Sequence, residues 1–359
     1  MLRFILKRFY YGVFVLFGVI TLVFFLFNIL PGDPARMMLG QRADISSVEA
    51  INRELGRDQP VYLQYLGFLN DLSPVSYHRT GNAGSHWYPD NSRYAPYTTL
   101  ISAGNSIIIL KKPYLRRSYQ SKREVSEILA QAFPNTMLLA TVAMGFAVII
   151  GVFTGILAAI KKDTFFDRFS LIVSVLGMSL PSFFAAILMA WVFAFVLAGY
   201  TGLSMFGSLY TVDDFGRGEY LDVKNLILPA ITLGIRPLAI IVELTRSSML
   251  EVLSQDYIRT ARAKGLSNVR VLGVHALRNS LNPVVTAVSG WFASLMAGAV
   301  FVEYVFDWKG VGVVIVEGLE KYDFPVVMGA VLFIAVLLVI INIFVDIIYG
   351  LLDPRVRVV

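Results

Sequence analysis

A few residues in this 359-residue chain could in principle do chemistry, and they divide into titratable groups inside apolar stretches and one basic loop. The catalytic options are few. A phosphate-binding loop needs a Gly-Lys dipeptide, which never occurs. Neither H-E-x-x-H nor G-x-S-x-G is present. Tyr322-Asp323 matches one half of an intramembrane aspartyl protease pair, but no second aspartate motif exists to share its proton. Asp323 is expected to cap the helix that follows it. With no cysteines, disulfides and zinc-thiolate sites are excluded. His78, His86 and His275 are too scattered for a metal site. The sequence predicts no catalytic residue, metal ligand or cofactor site.

The second group lies in apolar surroundings. Arg236, Glu243 and Arg246 fall in one apolar stretch, and Asn342 and Asp346 in another. Such charges are costly in a bilayer and either line a polar path or pair between helices. Glu243 and Arg246 are three residues apart and can pair on one helix face. Arg236 lies on that face two turns away. Both readings, a translocation wall or a structural ion pair, stay open. Gly151 and Gly155 make a small-xxx-small pair suited to close helix packing.

The third feature is a polar, basic island, "DYIRTARAKGLSNVRVLGVHALRNSLNP", from Asp256 to Pro283. The spacing predicts a short helix, a left-handed turn at Gly265, then a second helix capped by Ser267. It could be a DNA-binding pair of helices, a basic face on anionic lipid, or a socket for a cytoplasmic partner. The first lacks a third helix and a core of its own. In the socket reading, Ala261, Ala263 and Gly265 let a partner approach, and Tyr257 and Leu266 anchor it.

The elements that must hold these residues are membrane spans. The chain is 56% hydrophobic and 16% charged, with mean hydropathy +0.66, and soluble domains carry about 25% charged residues. Six stretches are long enough to cross a bilayer: Phe9–Leu30, Pro134–Ile160, Phe169–Leu197, Leu226–Leu250, Leu281–Tyr304 and Pro325–Leu352. The first does not read as a cleaved signal. Pro181 predicts a kink in the third. The net charge of +6 concentrates at the amino end, in "KKDTFFDR", in the basic island and in the tail. Alternating spans put all four on one side, so both termini are expected in the cytoplasm. That accounts for the charge without nucleic acid as a partner. Between the first and second spans, "SVEAINRELG" and "VYLQYLGFL" have helical spacing, and "LISAGNSIIIL" predicts strands about a Gly-Asn turn.

The island resembles the cytoplasmic coupling loop of ABC-transporter permeases, in the branch importing dipeptides, oligopeptides and nickel. The family's Glu-Ala-Ala-x3-Gly motif aligns as Arg259-Thr260-Ala261 with Gly265, so the glutamate and first alanine are absent. "MLRFILKRF", "LPGDP", "FDRFSLIVSVLGMSLPSFF", "LPAITLGIRPLAIIVELTRSSMLEVL", "DFPVVMGAVLF" and "LLDPR" are similar to the same branch in order and spacing. Lys309 in "FDWKGVG" stands where the branch usually has proline.

This resemblance implies an all-α membrane protein of type I importer-permease class, with six transmembrane helices and an extracytoplasmic subdomain inserted after the first. The implied division is 1–30 as amino end and first helix, 31–125 as outer subdomain, and 126–359 as a five-helix core with its coupling loop at 251–280. Tyr257, Arg259, Thr260, Ala261, Ala263, Lys264, Gly265 and Leu266 would meet the ATPase. The implied partners are a second permease, two cytoplasmic ATPases that carry ATP and magnesium, an extracytoplasmic binding protein and the inner-membrane bilayer. The rival expectations are an ion-coupled transporter or channel and a membrane receptor or assembly subunit.

Overall fold

The computed structural model describes residues 2–29, 59–81, 85, 87–212 and 218–352. "SVEAINRELG", "LPGDP" and the basic tail lie outside these. The described elements run α1 (Leu2–Ile29), α2 (Val61–Leu72), β1 (Val75–Arg79), β2 (Thr98–Ala103), β3 (Ser106–Leu110), α3 (Val125–Ile160), α4 (Phe165–Ser179), α5 (Ser182–Met189) with a π-helical extension Ala190–Val196, β4 (Tyr210–Val212), β5 (Glu219–Leu221), α6 (Lys224–Leu253), α7 (Asp256–Ala263), α8 (Asn282–Gly298), α9 (Val300–Phe306), α10 (Val311–Glu320) and α11 (Phe324–Leu352). Among the described residues, four helices are long and apolar enough to cross a membrane: α1, α3, α6 and α11. The count rises to six if the bent pairs α4–α5 and α8–α9 each make one span.

The third predicted stretch is where the structure departs most from the sequence reading. The expectation was a kink, and the observed bend between α4 and the helix from Ser182 is 111°. Pro181 carries no N–H and disfavours helical geometry at the residue before it. Leu180 is accordingly extended, at φ −73° and ψ 129°. The helix stops there and a new one starts. A second bend, of 56°, separates α8 from α9.

The chain divides into two compact units: residues 1–8, 133–313 and 338–359 in one, and 9–132 with 314–337 in the other. In the second unit β3 lies between β1 and β2, both antiparallel to it. The turn between β2 and β3 is Gly104-Asn105, as the sequence implied, and Gly104 sits at φ +56°. β1 alternates exposed and buried side chains, which is what a sheet with one covered face requires. Its inward residues are Ser76 and His78, hydrogen-bonded to each other at 2.9 Å. Ile107 and Ile109 of β3 pack with Tyr94. α2 lies on α1 through Phe68, Phe24 and Tyr65, and Met328 and Leu332 of α11 join that core. Asp323 does not cap its own helix with its side chain. Its buried carboxylate accepts from Ser118 Oγ at 2.5 Å and Tyr119 N at 2.9 Å, holding the loop that leads into α3.

In the first unit α3 and α6 approach closely at two glycines. A Cβ on Gly155 would lie 2.6 Å from Thr245 Cβ and 2.8 Å from the Val242 carbonyl. One on Gly151 would lie 2.8 Å from Ile241 Cγ2. The small-xxx-small pair therefore serves helix packing.

Candidate coupling surface and intramembrane polar residues

α7 is amphipathic over only two turns. Ile258 and Ala261, three apart, turn inward and join Met249 of α6, Ala159 of α3, Val271 and Ala276 in one apolar cluster. Tyr257, Arg259, Thr260, Ala263 and Lys264 remain exposed. Gly265 takes φ +74° and its N–H reaches the Arg262 carbonyl at 2.9 Å, closing the helix in the left-handed geometry the sequence predicted. A Cβ on Gly265 would meet nothing within 4 Å, so the space beside it is open.

Three expectations need correcting. Ala261 was expected to face a partner, but it faces the core and is only 7% exposed. Leu266 was expected as a partner anchor, but it packs against the same cluster. The first follows from the apolar stripe that α7 must bury to stay on the membrane domain, and Leu266, just past the Gly265 turn, extends that contact. Ser267 has an N-cap backbone, but its side chain makes no capping bond. The segment after it is α-helical only over Asn268–Arg270 and widens into a π-helical turn, Val271–Ala276. Reading the sequence alone overlooked the apolar residues that do face outward. Val269 is 82% exposed and Val274 58%. Two valines left bare in a polar, basic loop were the signal.

The intramembrane polar residues separate by partner. Arg246 does not pair with Glu243. Its guanidinium grips Asp167 with Nε and Nη2, the latter at 2.7 Å from Oδ2. The Asp167 side chain is 2% exposed and also accepts from the Asp163 N–H at 2.9 Å. Asp167 lies in the first turn of α4, where a helix N-terminus favours negative charge. The pair thus clamps the start of α4 to the C-terminal third of α6. Asp346 pairs with Arg8 at 3.1 Å, bringing the start of α1 beside the end of α11. Asn342, Arg236 and Glu243 are exposed. Among the described residues, neither Arg236 nor Glu243 has an ion pair.

The turn containing Lys309 in place of proline is held by hydrogen bonds instead. Trp308 is fully buried, its indole N–H donating to the Asn135 carbonyl at 3.0 Å. Asn135 Nδ2 donates to the Lys309 carbonyl at 2.7 Å. The buried Glu303 carboxylate accepts from Gly312 N at 2.6 Å, and Thr136 Oγ1 accepts from Val311 N at 2.9 Å. Glu303 did not stand out in the sequence, although a carboxylate near the end of an apolar stretch is a recognisable sign of a buried partner.

Residues 151–358 match the family described as "Binding-protein-dependent transport system inner membrane component", and residues 1–85 match the family described as its N-terminal component. The chain belongs to this permease family. It is 37% identical to the di/tripeptide transport system permease protein DppB of Pseudomonas aeruginosa, over 99% of both chains. It is 33% identical to the dipeptide transport system permease protein DppB of Alkalihalophilus pseudofirmus, over 99% of this chain and 100% of that one. A chain of the inward-facing MetNI methionine ABC transporter superposes with a TM-score of 0.50 at 16% identity, covering 64% of this chain and 97% of that one. The fold is thus that of a type I importer permease, and the chain is a multi-pass inner-membrane transport subunit rather than a family known for enzymes.

Proposed function

We propose that this chain forms half of the translocation pathway of an ATP-driven importer for di- and oligopeptides. Relatives named for dipeptides and tripeptides at 33–37% identity over the full length support the substrate class. A sister permease supplies the other half. Two cytoplasmic ATPases, which carry the ATP and magnesium, dock on the exposed side of α7 and on the Gly265 turn. An extracytoplasmic binding protein delivers the peptide. Both termini lie in the cytoplasm, and residues 31–125 form an outer subdomain. The Arg8–Asp346 pair supports the shared side of the termini, since it joins the start of the first helix to the end of the last.

One observation carries the mechanism. The coupling helix is exposed on one face and, on the other, shares an apolar core with Met249 of α6 and Ala159 of α3. A push on the exposed face therefore moves two membrane helices as a body, because packed cores do not deform continuously. Closure of the ATPases shifts the population between inward- and outward-open states by this contact. Purification of the tagged chain from its native membrane tests the reading. The account expects two ATPases and a second permease to co-purify, and peptide uptake into vesicles to require all of them with the binding protein. Uptake driven by an ion gradient without ATPases would replace it with the secondary-transporter reading.

A further inference from the structure

The clearest unexplained feature is a pair of opposite charges on one exposed face of α6. Arg236 and Glu243 are seven residues apart, two turns of helix, with a rise of about 10.5 Å between them. Both are exposed on a helix whose apolar window is otherwise 67% buried. Neither forms an ion pair among the described residues, while Arg246, one turn on, is already used by Asp167. Charges at such depth are too costly to face lipid, so this face meets water or a polar partner. α8, one of the helices packed against α6, exposes the polar Asn282, Thr286 and Ser294 alongside the apolar Val285.

Resting on the importer reading, we infer that Arg236 and Glu243 recognise the two ends of a peptide in transit. Arg236 binds the terminal carboxylate and Glu243 the terminal ammonium. An extended chain advances about 3.3–3.6 Å per residue, so a tripeptide spans about 10 Å, which matches the rise between the two positions. Flexible side chains shorten that gap for a dipeptide. A guanidinium suits a carboxylate because it can donate two parallel hydrogen bonds. The competing occupant is the sister permease. A similar chain in the same membrane orientation is related by an axis along the membrane normal. It would bring like charge opposite like charge at each depth, which disfavours a direct interface and leaves room for a zwitterion between the subunits.

The test uses the complete transporter with its binding protein in vesicles, and measures uptake per peptide-loaded binding protein. The probes are one tripeptide with free ends, its C-terminal amide and its N-acetyl form. The wild-type complex should move the free form about tenfold or more faster than either capped form, the scale of one charge-assisted hydrogen bond. Arg236→Gln should abolish the preference against the amide and keep that against the acetyl form. Glu243→Gln should do the reverse. A purely structural role would slow all three peptides equally. Unchanged discrimination in both variants overturns the inference. So does loss of the sister permease from either purified variant, which would make these charges interface contacts. If the wild-type complex takes up no peptide with ATP and loaded binding protein, the importer reading itself fails, and this inference with it.

Discussion

The Asp167–Arg246 clamp allows a double-mutant cycle whose asymmetry follows from exposure. Asp167 is 2% exposed at the side chain and Arg246 is 18%. Removing one partner of a buried pair typically costs about 3–5 kcal/mol, mostly because the other charge is stranded. The two strandings differ. Arg246→Met leaves a carboxylate held only by the Asp163 N–H, with no route to water. Asp167→Ala leaves an arginine near the C-terminal end of α6, whose long stem lets the guanidinium snorkel to the nearer interface. Arg246→Met should therefore lie toward the upper end of this range, about 5 kcal/mol, and Asp167→Ala toward its lower end, about 3 kcal/mol. The double variant should cost less than either single variant, because neither charge is left stranded. Reversible unfolding of the purified complex in mixed micelles, monitored by helicity, supplies the free energies. Additive losses, or a larger loss for Asp167→Ala than for Arg246→Met, would refute the clamp as described.

Other expectations concern the Gly265 turn, helix packing and the three-stranded sheet. Gly265→Trp should insert normally, since a left-handed non-glycine residue costs only about 1–2 kcal/mol and the added side chain meets nothing in its own chain. It should nevertheless cut peptide uptake per ATP hydrolysed by about tenfold or more, and uptake at the wild-type ratio would remove Gly265 from the docking surface. Gly155→Leu should force α3 away from Thr245 and lower the yield of folded complex severalfold in size-exclusion profiles, whereas Gly145→Leu, which has open space, should not. In the three-stranded sheet, burial pushes the His78 ring below its usual range, and the Lys111 charge lowers it further. The folded state thus prefers neutral imidazole. Stability from this source is complete above the unfolded value of about 6.5 and is lost as pH falls below it. The protection factors of the β1 and β3 amides, with the pH dependence of intrinsic exchange divided out, should fall between pH 6.5 and 5, and His78→Gln should flatten that dependence; acid-insensitive protection in the wild-type sheet would contradict the assignment.

What the sequence disclosed was local. Gly265 and the Gly104-Asn105 turn could be read directly, because a glycine ending a helical or strand pattern signals a backbone reversal within a few residues. The places of the four long apolar helices followed from bilayer thickness and uninterrupted apolar length. What escaped was long-range or directional. Arg246 pairs with a residue 79 positions away, so the nearer Glu243 was the natural but wrong partner. Asp323 grips Ser118 across 205 positions, and no helix-capping rule could foresee that. Ala261 was placed on the docking side because small residues permit approach. Only the packing shows that Ile258 and Ala261 form the stripe α7 must bury. Pro181 was legible as a disruption, but the size of the bend depended on the extended Leu180 before it.

The most direct test of the coupling claim exploits the absence of cysteine from the chain. Single cysteines at Ala263, Val269 and Ala261 report on two sides of one short surface. The first two positions are exposed and the third is buried. In membranes containing the assembled transporter, a short thiol-reactive photo-cross-linker at Ala263→Cys or Val269→Cys should capture an ATPase subunit. Capture at Ala261→Cys should be absent, and ATP should change the yield at the exposed positions. Equal capture at all three positions, or an ATPase joined to none of them, would contradict the account.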